Sequence, residues 1–290
     1  MSTRTQVFIT GASSEIMGQF IGLLDPKKYR IIGLTRDKFK SDSKRIHWLI
    51  GELNRPESYQ SELAGADIII HAAALTHSKK EADYFKVNHE GTKQLIKAIP
   101  KGRNPKFVFI SSRVAGEKSG GYGVSKLRAE EEVKKLKNWL IIRPSEVYGG
   151  TKSEGIEKTI QEAINGGIQL CPVGVQSKMY PIHITDTVNA IFGFIFNKEN
   201  QTITLNGSDG YSFAGLLRLI EKVSGKKMTI IPIPKWFLIL VGFISKLLPI
   251  DIGFVPDQVE RLYSVKKHSD ASSMLVDLET SMVREQITRL

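Results

Sequence analysis

The sequence is poor in several things, and each lack narrows the field. One cysteine, Cys171, in 290 residues excludes a disulfide framework and any multi-cysteine metal site. The histidines are scattered, with no H-x-x-x-H spacing and no carboxylate cluster, so no metal is expected. No apolar run reaches the ~20 residues that span a bilayer. The most apolar stretch, WFLILVGFISKLLPI at 236–250, is shorter and contains Lys246 and Pro249. It reads as a buried helix or as a face resting on a membrane surface. The opening MSTRTQVFIT has no signal-length apolar stretch, so the cytosol is the expected compartment. No basic stripe is interleaved with aromatics, so nucleic-acid binding is not expected. There is no internal repeat and no low-complexity tract.

Acidic residues are in deficit. Lys and Arg number 41 against 30 Asp and Glu, a net charge of +11. Such a chain attracts anions: nucleic acid, an acidic membrane surface or phosphorylated small molecules. An apolar fraction of 41% and a charged fraction of 24% are ordinary for a globular chain. The length fits one large or two small domains at ~100–200 residues each.

Short apolar runs alternate with amphipathic stretches through the first half. The runs are 6–10, 29–35, 47–50, 67–71, 106–111 and 139–143. Most are continuous and rich in Val, Ile or Phe, as in strands buried on both faces and therefore parallel. Helical patterns fall at about 15–24, 83–99 and 122–137. This alternation predicts an α/β fold with a Rossmann-like, doubly wound parallel sheet. After Gly149 the rhythm changes to helical stretches at 156–165, 185–196, 212–223 and 236–248, with short strands near 202–205 and 228–231. That half is expected to form a smaller α/β substrate lobe. The division is 1–150 for a nucleotide-binding domain, with 180–206 returning to it, and 151–179 with 207–290 for the lobe.

Thr10-Gly11-Ala12-Ser13-Ser14-Glu15-Ile16-Met17-Gly18 follows the first strand and opens the first helix, where backbone N–H groups can face a pyrophosphate. Only Gly11 keeps the T-G-x-x-G-x-x-G spacing; Ser14 and Met17 stand where the other glycines would be. Met17 is expected to push the helix outward, or the turn to shift so that Gly18 takes its place. Six further segments follow in order: ADIIIHAAA (66–74), VNHEGT (87–92), FVFISS (107–112), YGVSK (122–126), IIRPSEVYG (141–149) and PIHITD (181–186). With these segments the chain resembles the extended short-chain dehydrogenase/reductase family of NAD(P)-dependent sugar-nucleotide epimerases, dehydratases and reductases, over about two thirds of its length. GFVPDQVERL (253–262) resembles the C-terminal part of a bacterial surface-polysaccharide branch of that family.

Tyr122 and Lys126 lie four apart at a helix start and so share a face. A free phenol has a pKa of ~10. A neighbouring ammonium would favour the phenolate and bring it into range as an acid or base. The resemblance implies that Lys126 also binds the nicotinamide ribose. Ser112, with Ser111 as the fallback, ends the fifth strand, where a hydroxyl can hold the reacting oxygen. Asn88 matches the family asparagine that organises backbone and water near the lysine. The resemblance also puts Gly11, Ser13, Ser14, Glu15, Ile16, Arg36, Glu52, Leu53, His71, Ala72, Ala73, Ala74 and Pro144 at the cofactor. The His71 ring itself reads as structural, and Glu52-Leu53 is expected to end the third strand. Thr76, His77, Arg113 and Lys178 are the substrate candidates, and Asp186 reads as a helix cap.

The second strand ends Gly33-Leu34-Thr35-Arg36-Asp37. Arg36 favours NADP(H) through the 2′-phosphate, while Asp37 would suit the ribose of NAD(H). Arg113-Val114 stand where dehydratases of the family carry an Asp-Glu pair, which disfavours dehydration. The expected activity is reduction of a keto group on a nucleotide-linked deoxysugar, with Tyr122 as general acid. The alternatives are an NAD-dependent C4 epimerase and a silent NAD(P)-binding regulatory protein. The resemblance further implies a homodimer through helices 83–99 and 122–137.

Overall fold

The computed structural model describes residues 4–37, 40, 42–151, 155–247 and 256–266. Residues 248–250 of the apolar stretch and 253–255 of the GFVPDQVERL segment lie outside them. The first half runs β1 (Thr5–Thr10), α1 (Glu15–Leu23), β2 (Tyr29–Thr35), β3 (His47–Ile50), α2 (Gln60–Ala64), β4 (Ile68–His71) and α3 (Glu81–Tyr84). A π-helical turn, Phe85–Glu90, then leads into α4 (Gly91–Lys97), β5 (Lys106–Ile110), α5 (Gly120–Val133) and β6 (Trp139–Pro144). The second half runs β7 (Val147–Tyr148), α6 (Gly155–Ala163), β8 (Gly167–Pro172), β9 (Ile182–His183) and α7 (Ile184–Asn197). It continues with β10 (Gln201–Leu205), α8 (Phe213–Ser224), β11 (Met228–Ile233), α9 (Lys235–Leu247) and α10 (Pro256–Tyr263).

Seven strands form one parallel sheet in the order β10-β6-β5-β4-β1-β2-β3. Its continuous apolar strands are buried on both faces. Val7, Ile9, Ile31 and Ile70 pack with Phe20 of α1 and Val188 and Ile191 of α7. Phe8, Ile32, Ile69 and Phe107 pack on the other side with Leu95 of α4 and Ala129 and Val133 of α5. Each fully buried side chain of this size contributes about 1.5–3 kcal/mol. The doubly wound parallel sheet expected from the sequence is the fold.

A third cluster, including Tyr148, Ile156, Ile160, Leu216, Ile220 and Met228, gathers α6, α8 and the two-stranded sheet β8-β11. Strand β8 escaped the sequence reading. It begins at Gly166-Gly167, both at positive φ, and alternates weakly, so no strand pattern stands out. Three local expectations need correcting. Strand β3 ends at Ile50, so Glu52 and Leu53 lie beyond it, although the Gly51 N–H still reaches the Thr35 carbonyl. His183, not Asp186, caps α7, its ring accepting from the Thr185 N–H; Asp186 sits in the first turn. Gly18 does not take over from the missing glycine: it is exposed, while Met17 is fully buried in the core under α1.

Candidate active site

A groove of about 630 Å³ runs along the carboxyl ends of the parallel strands. Its floor is Thr10, Gly11, Ser13 and Ser14, one wall is Arg36 with Glu52 and Leu53, and the other is Ala72, Ala73, Ala74 and Leu75. Gly11 is required there on two counts. Its φ is +68°, and a Cβ would stand 2.6 Å from the Ala73 nitrogen and 2.7 Å from the Ala72 carbonyl carbon. The turn is thus pressed against the end of β4, and the small residues of HAAA make the approach possible. Ser14 caps α1, accepting from the Met17 N–H. A helix N-terminus opening on a long groove suits an extended diphosphate ligand. The residues therefore fit a nicotinamide dinucleotide.

Some residues expected at the cofactor are turned elsewhere. Glu15 accepts from the Thr151 N–H at 2.8 and 2.9 Å, bridging to the second half. Ile16 packs on the core, and Pro144 is buried with its carbonyl taken by the Arg113 N–H. None of the three lines the groove. The His71 ring is fully buried, with Nδ1 2.6 Å from the Thr10 hydroxyl and Nε2 2.8 Å from the Thr92 hydroxyl. Thr92 donates its own proton to the Asn88 carbonyl, so Nε2 carries the ring hydrogen. Burial, with the Lys126 charge nearby, pushes this imidazole down to about 3, and it stays neutral.

A chain of buried polar contacts links groove and helix. The Ala73 N–H donates to Thr10, Thr10 to His71, His71 to Thr92 and Thr92 to Asn88. Asn88 sits in the π-helical turn. It accepts from the Leu75 N–H at 2.7 Å and donates to the Leu75 carbonyl at 3.1 Å and to the Ser125 hydroxyl at 3.0 Å. Ser125 donates to the Tyr122 carbonyl. An extra residue in a helical turn re-aims a side chain in this way, and such turns recur at functional sites.

Tyr122 and Lys126 share the inner face of α5, both buried. Ser112, beyond β5, acts on the Tyr122 phenol and helps to hold it down, while its hydroxyl accepts from the Val114 N–H at 3.4 Å. Ser111 is committed elsewhere: its hydroxyl donates at 2.6 Å to buried Glu130, which also holds Arg143 through both carboxylate oxygens at 2.8 and 2.6 Å. Ser112 and Tyr122 are thus brought together, and Ser111 is not. Lys126 departs from expectation. Its ammonium donates to the Ile110 carbonyl at 2.8 Å, lies 4.0 Å from the Phe109 ring centre, and is pushed down to about 7 by burial, against which Glu130 works. The cation over the phenol is Arg261 of α10, its Cζ 4.7 Å from the Tyr122 ring centre. Burial raises the Tyr122 phenol; Arg261 and Ser112 oppose that rise, and Asp257 adds to it.

Of the substrate candidates, Thr76 and His77 are exposed and bonded to each other at 3.0 Å. Arg113 is buried, paired with Glu146 at 3.1 Å and donating to the Lys178 carbonyl. Lys266 joins the same carboxylate at 3.2 Å. Burial alone would raise the Glu146 carboxyl, but Lys266, Arg113 and the Tyr180 N–H hold it below the usual range. Arg113 is therefore engaged within the protein rather than extended toward a ligand, and Lys178 is exposed. Asp257 and Arg261 were missed, although both lie in the GFVPDQVERL segment and their i, i+4 spacing marks one helix face. Among the described residues, no group of three or more His, Cys, Asp or Glu could hold a metal ion. Nor is any described helix long and apolar enough to cross a membrane.

The NAD dependent epimerase/dehydratase family matches residues 7–205. A Bacillus subtilis (strain 168) protein named as an uncharacterised UDP-glucose epimerase, YtcB, is 25% identical over 268 aligned residues, covering 78% of this chain and 84% of that protein. The dTDP-4-dehydrorhamnose reductase of Bacillus anthracis str. Ames, solved with NADP, superposes with a TM-score of 0.70 at 18% identity, over 99% of this chain and 100% of that one. The UDP-glucuronic acid 4-epimerase of Bacillus cereus, solved with UDP-glucuronic acid and NAD, gives 0.67 at 20% identity, over 79% and 86%. At such identities the two structures are likenesses of fold.

Proposed function

The chain belongs to the NAD dependent epimerase/dehydratase family, and within it we propose a reductase acting on a keto group of a nucleotide-linked deoxysugar with NADPH. The observation that carries the choice is Arg36, which lines the groove just past β2, where a guanidinium can pair with a 2′-phosphate. Gly11, Ser13 and Ser14 would hold the pyrophosphate and Ala72–Ala74 would flank it. The nicotinamide, when bound, would supply the hydride for the carbonyl carbon. Tyr122 gives its proton to the carbonyl oxygen while Ser112 donates a hydrogen bond to that oxygen as charge develops on it. Lys126 is held at the Ile110 carbonyl, with burial pushing its ammonium down to about 7.

A second reading, an NAD-dependent C4 epimerase acting on a UDP-hexose, is favoured by the YtcB likeness. One experiment separates the two. Purified protein is assayed for co-purified NAD, titrated with NADPH and NADH, and offered UDP- and dTDP-linked 4-ketohexoses. The reductase binds NADPH more tightly and consumes it in proportion to product; co-purified NAD with no net turnover of NADPH means the epimerase.

Three further features belong to this proposal. The nucleotide-binding part is 1–150 with 180–206 and the substrate lobe is 151–179 with 207–290, in line with the separate cluster around Ile156 and Leu216. Contact with an anionic membrane is supported by α9, which exposes Trp236, Ile239, Leu240 and Phe243 beside Lys235. Flotation with anionic vesicles, lost in Trp236→Ser/Phe243→Ser, tests it. A homodimer through α3–α4 and α5 would bury ion pairs such as Arg128–Glu131 and Lys135–Glu132. Light scattering measures that state.

A further inference from the structure

Helix α10 comes from far along the chain and lands on the first turn of α5. The Asp257 carboxylate accepts from the Tyr122 N–H at 3.1 Å and so serves one of the open donors at that helix start. The approach depends on Gly120, at φ +66°, where a Cβ would stand 2.4 Å from the Asp257 carboxylate oxygen. One turn further on, the Arg261 Nε lies 2.6 Å from the other Asp257 oxygen, and both side chains are largely buried. Arg261 also donates to the Thr76 carbonyl at 3.0 Å and works against the burial-driven rise of the Tyr84 phenol. Tyr122 is thus gripped twice by one helix, at its backbone and at its ring.

We propose that Arg261 is a positioning residue for Tyr122: fixed by Asp257 and Thr76, its guanidinium holds the phenol ring and supplies the cation that acts on it, a part that Lys126, turned to the Ile110 carbonyl, leaves open. This rests on Tyr122 being the acid. The groups facing Tyr122 are Arg261 and Asp257 from α10, Ser112 after β5, Tyr84 from α3, and Lys126 on its own helix. Glu81 of α3 stands against the neighbouring Gly121. A cation against an aromatic face, with its charge largely desolvated, acts strongly on a phenol buried beside it.

The test reads the phenol directly, without substrate. Ultraviolet difference titration of the ligand-free protein, with Tyr122→Phe as subtraction, gives the Tyr122 ionisation. In Arg261→Gln and Arg261→Met it should move to higher pH by about one unit or more; in Arg261→Lys it should stay near wild type. With a ketosugar nucleotide, the basic limb of the kcat profile should move the same way, with kcat reduced and KM within about twofold, the pattern of a lost transition-state interaction. Thermal melts identify the folded variants, and either charge-removing variant suffices. An unmoved Tyr122 titration in a folded Gln or Met variant overturns the proposal. A change confined to KM also overturns it, making Arg261 a substrate contact. Full activity of Tyr122→Phe overturns the acid assignment instead, and the titration still reports on Arg261.

Discussion

Two glycine turns, at Gly11 and Gly120, are tight for different reasons. Gly11 has φ +68° and is pressed against the backbone of β4's end. Gly120 has nearly the same φ, +66°, but the obstacle is a side chain, Asp257 of α10. The first turn is shaped by the sheet itself, through strands already paired in register at Thr10 and His71. The second is shaped by a helix that is not part of the sheet. The groove that suits a dinucleotide is therefore built from the first half of the chain, and the start of α5, with Tyr122, is braced by the C-terminal part of the chain.

The sharpest way to break this comparison is Gly11→Ala. An L residue at that φ costs about 1–2 kcal/mol, and the new Cβ meets backbone that cannot rotate away. Nicotinamide binding should fall by more than about a hundredfold, as measured by fluorescence titration. Tyr122→Phe attacks only the start of α5: turnover should drop by roughly 10²–10⁴ while cofactor affinity stays within about twofold of wild type, so the two variants should fail in opposite assays. Arg36→Ala should weaken NADPH binding by about ten- to a hundredfold and leave NADH nearly unchanged; equal losses would favour the epimerase. Gly120→Ala should cost about 1–2 kcal/mol of stability, because the new Cβ displaces the Asp257 carboxylate from the Tyr122 N–H. Urea melts against wild type would show it.

Lys126 gives an effect that depends on pH. Burial holds its ammonium at about 7 against an ordinary 10.5. Between those values the unfolded chain carries a proton that the folded chain releases, so stability rises with pH across that window. Lys126→Met should flatten the rise, as seen in melts near pH 7 and near pH 9.

The parallel sheet was legible because its strands are continuous apolar runs; spacing and order singled out Tyr122, Lys126, Asn88 and Gly11 as candidates. Other features needed the third dimension. No pattern says that Lys126 turns to the Ile110 carbonyl, that Ser111 serves Glu130, or that Arg113 is spent on Glu146. These are competitions between nearby partners, decided by angstroms. Arg261 was invisible for another reason: its partner on α5 lies well over a hundred residues earlier. Met17 shows that a broken motif can still be a well-packed one.

The hydrogen bond from the Tyr122 N–H to Asp257 spans 135 residues of sequence, and it sets an order of assembly. During synthesis at about 5–20 residues per second, the sheet and its groove can close well before α10 leaves the ribosome. Until α10 arrives, the Tyr122 N–H lacks its Asp257 partner and the Tyr122 ring lacks the Arg261 guanidinium. Closing so long a loop costs entropy that only the finished contact offsets. The groove and the start of α5 are thus completed by different stretches of the chain, the second only when α10 docks.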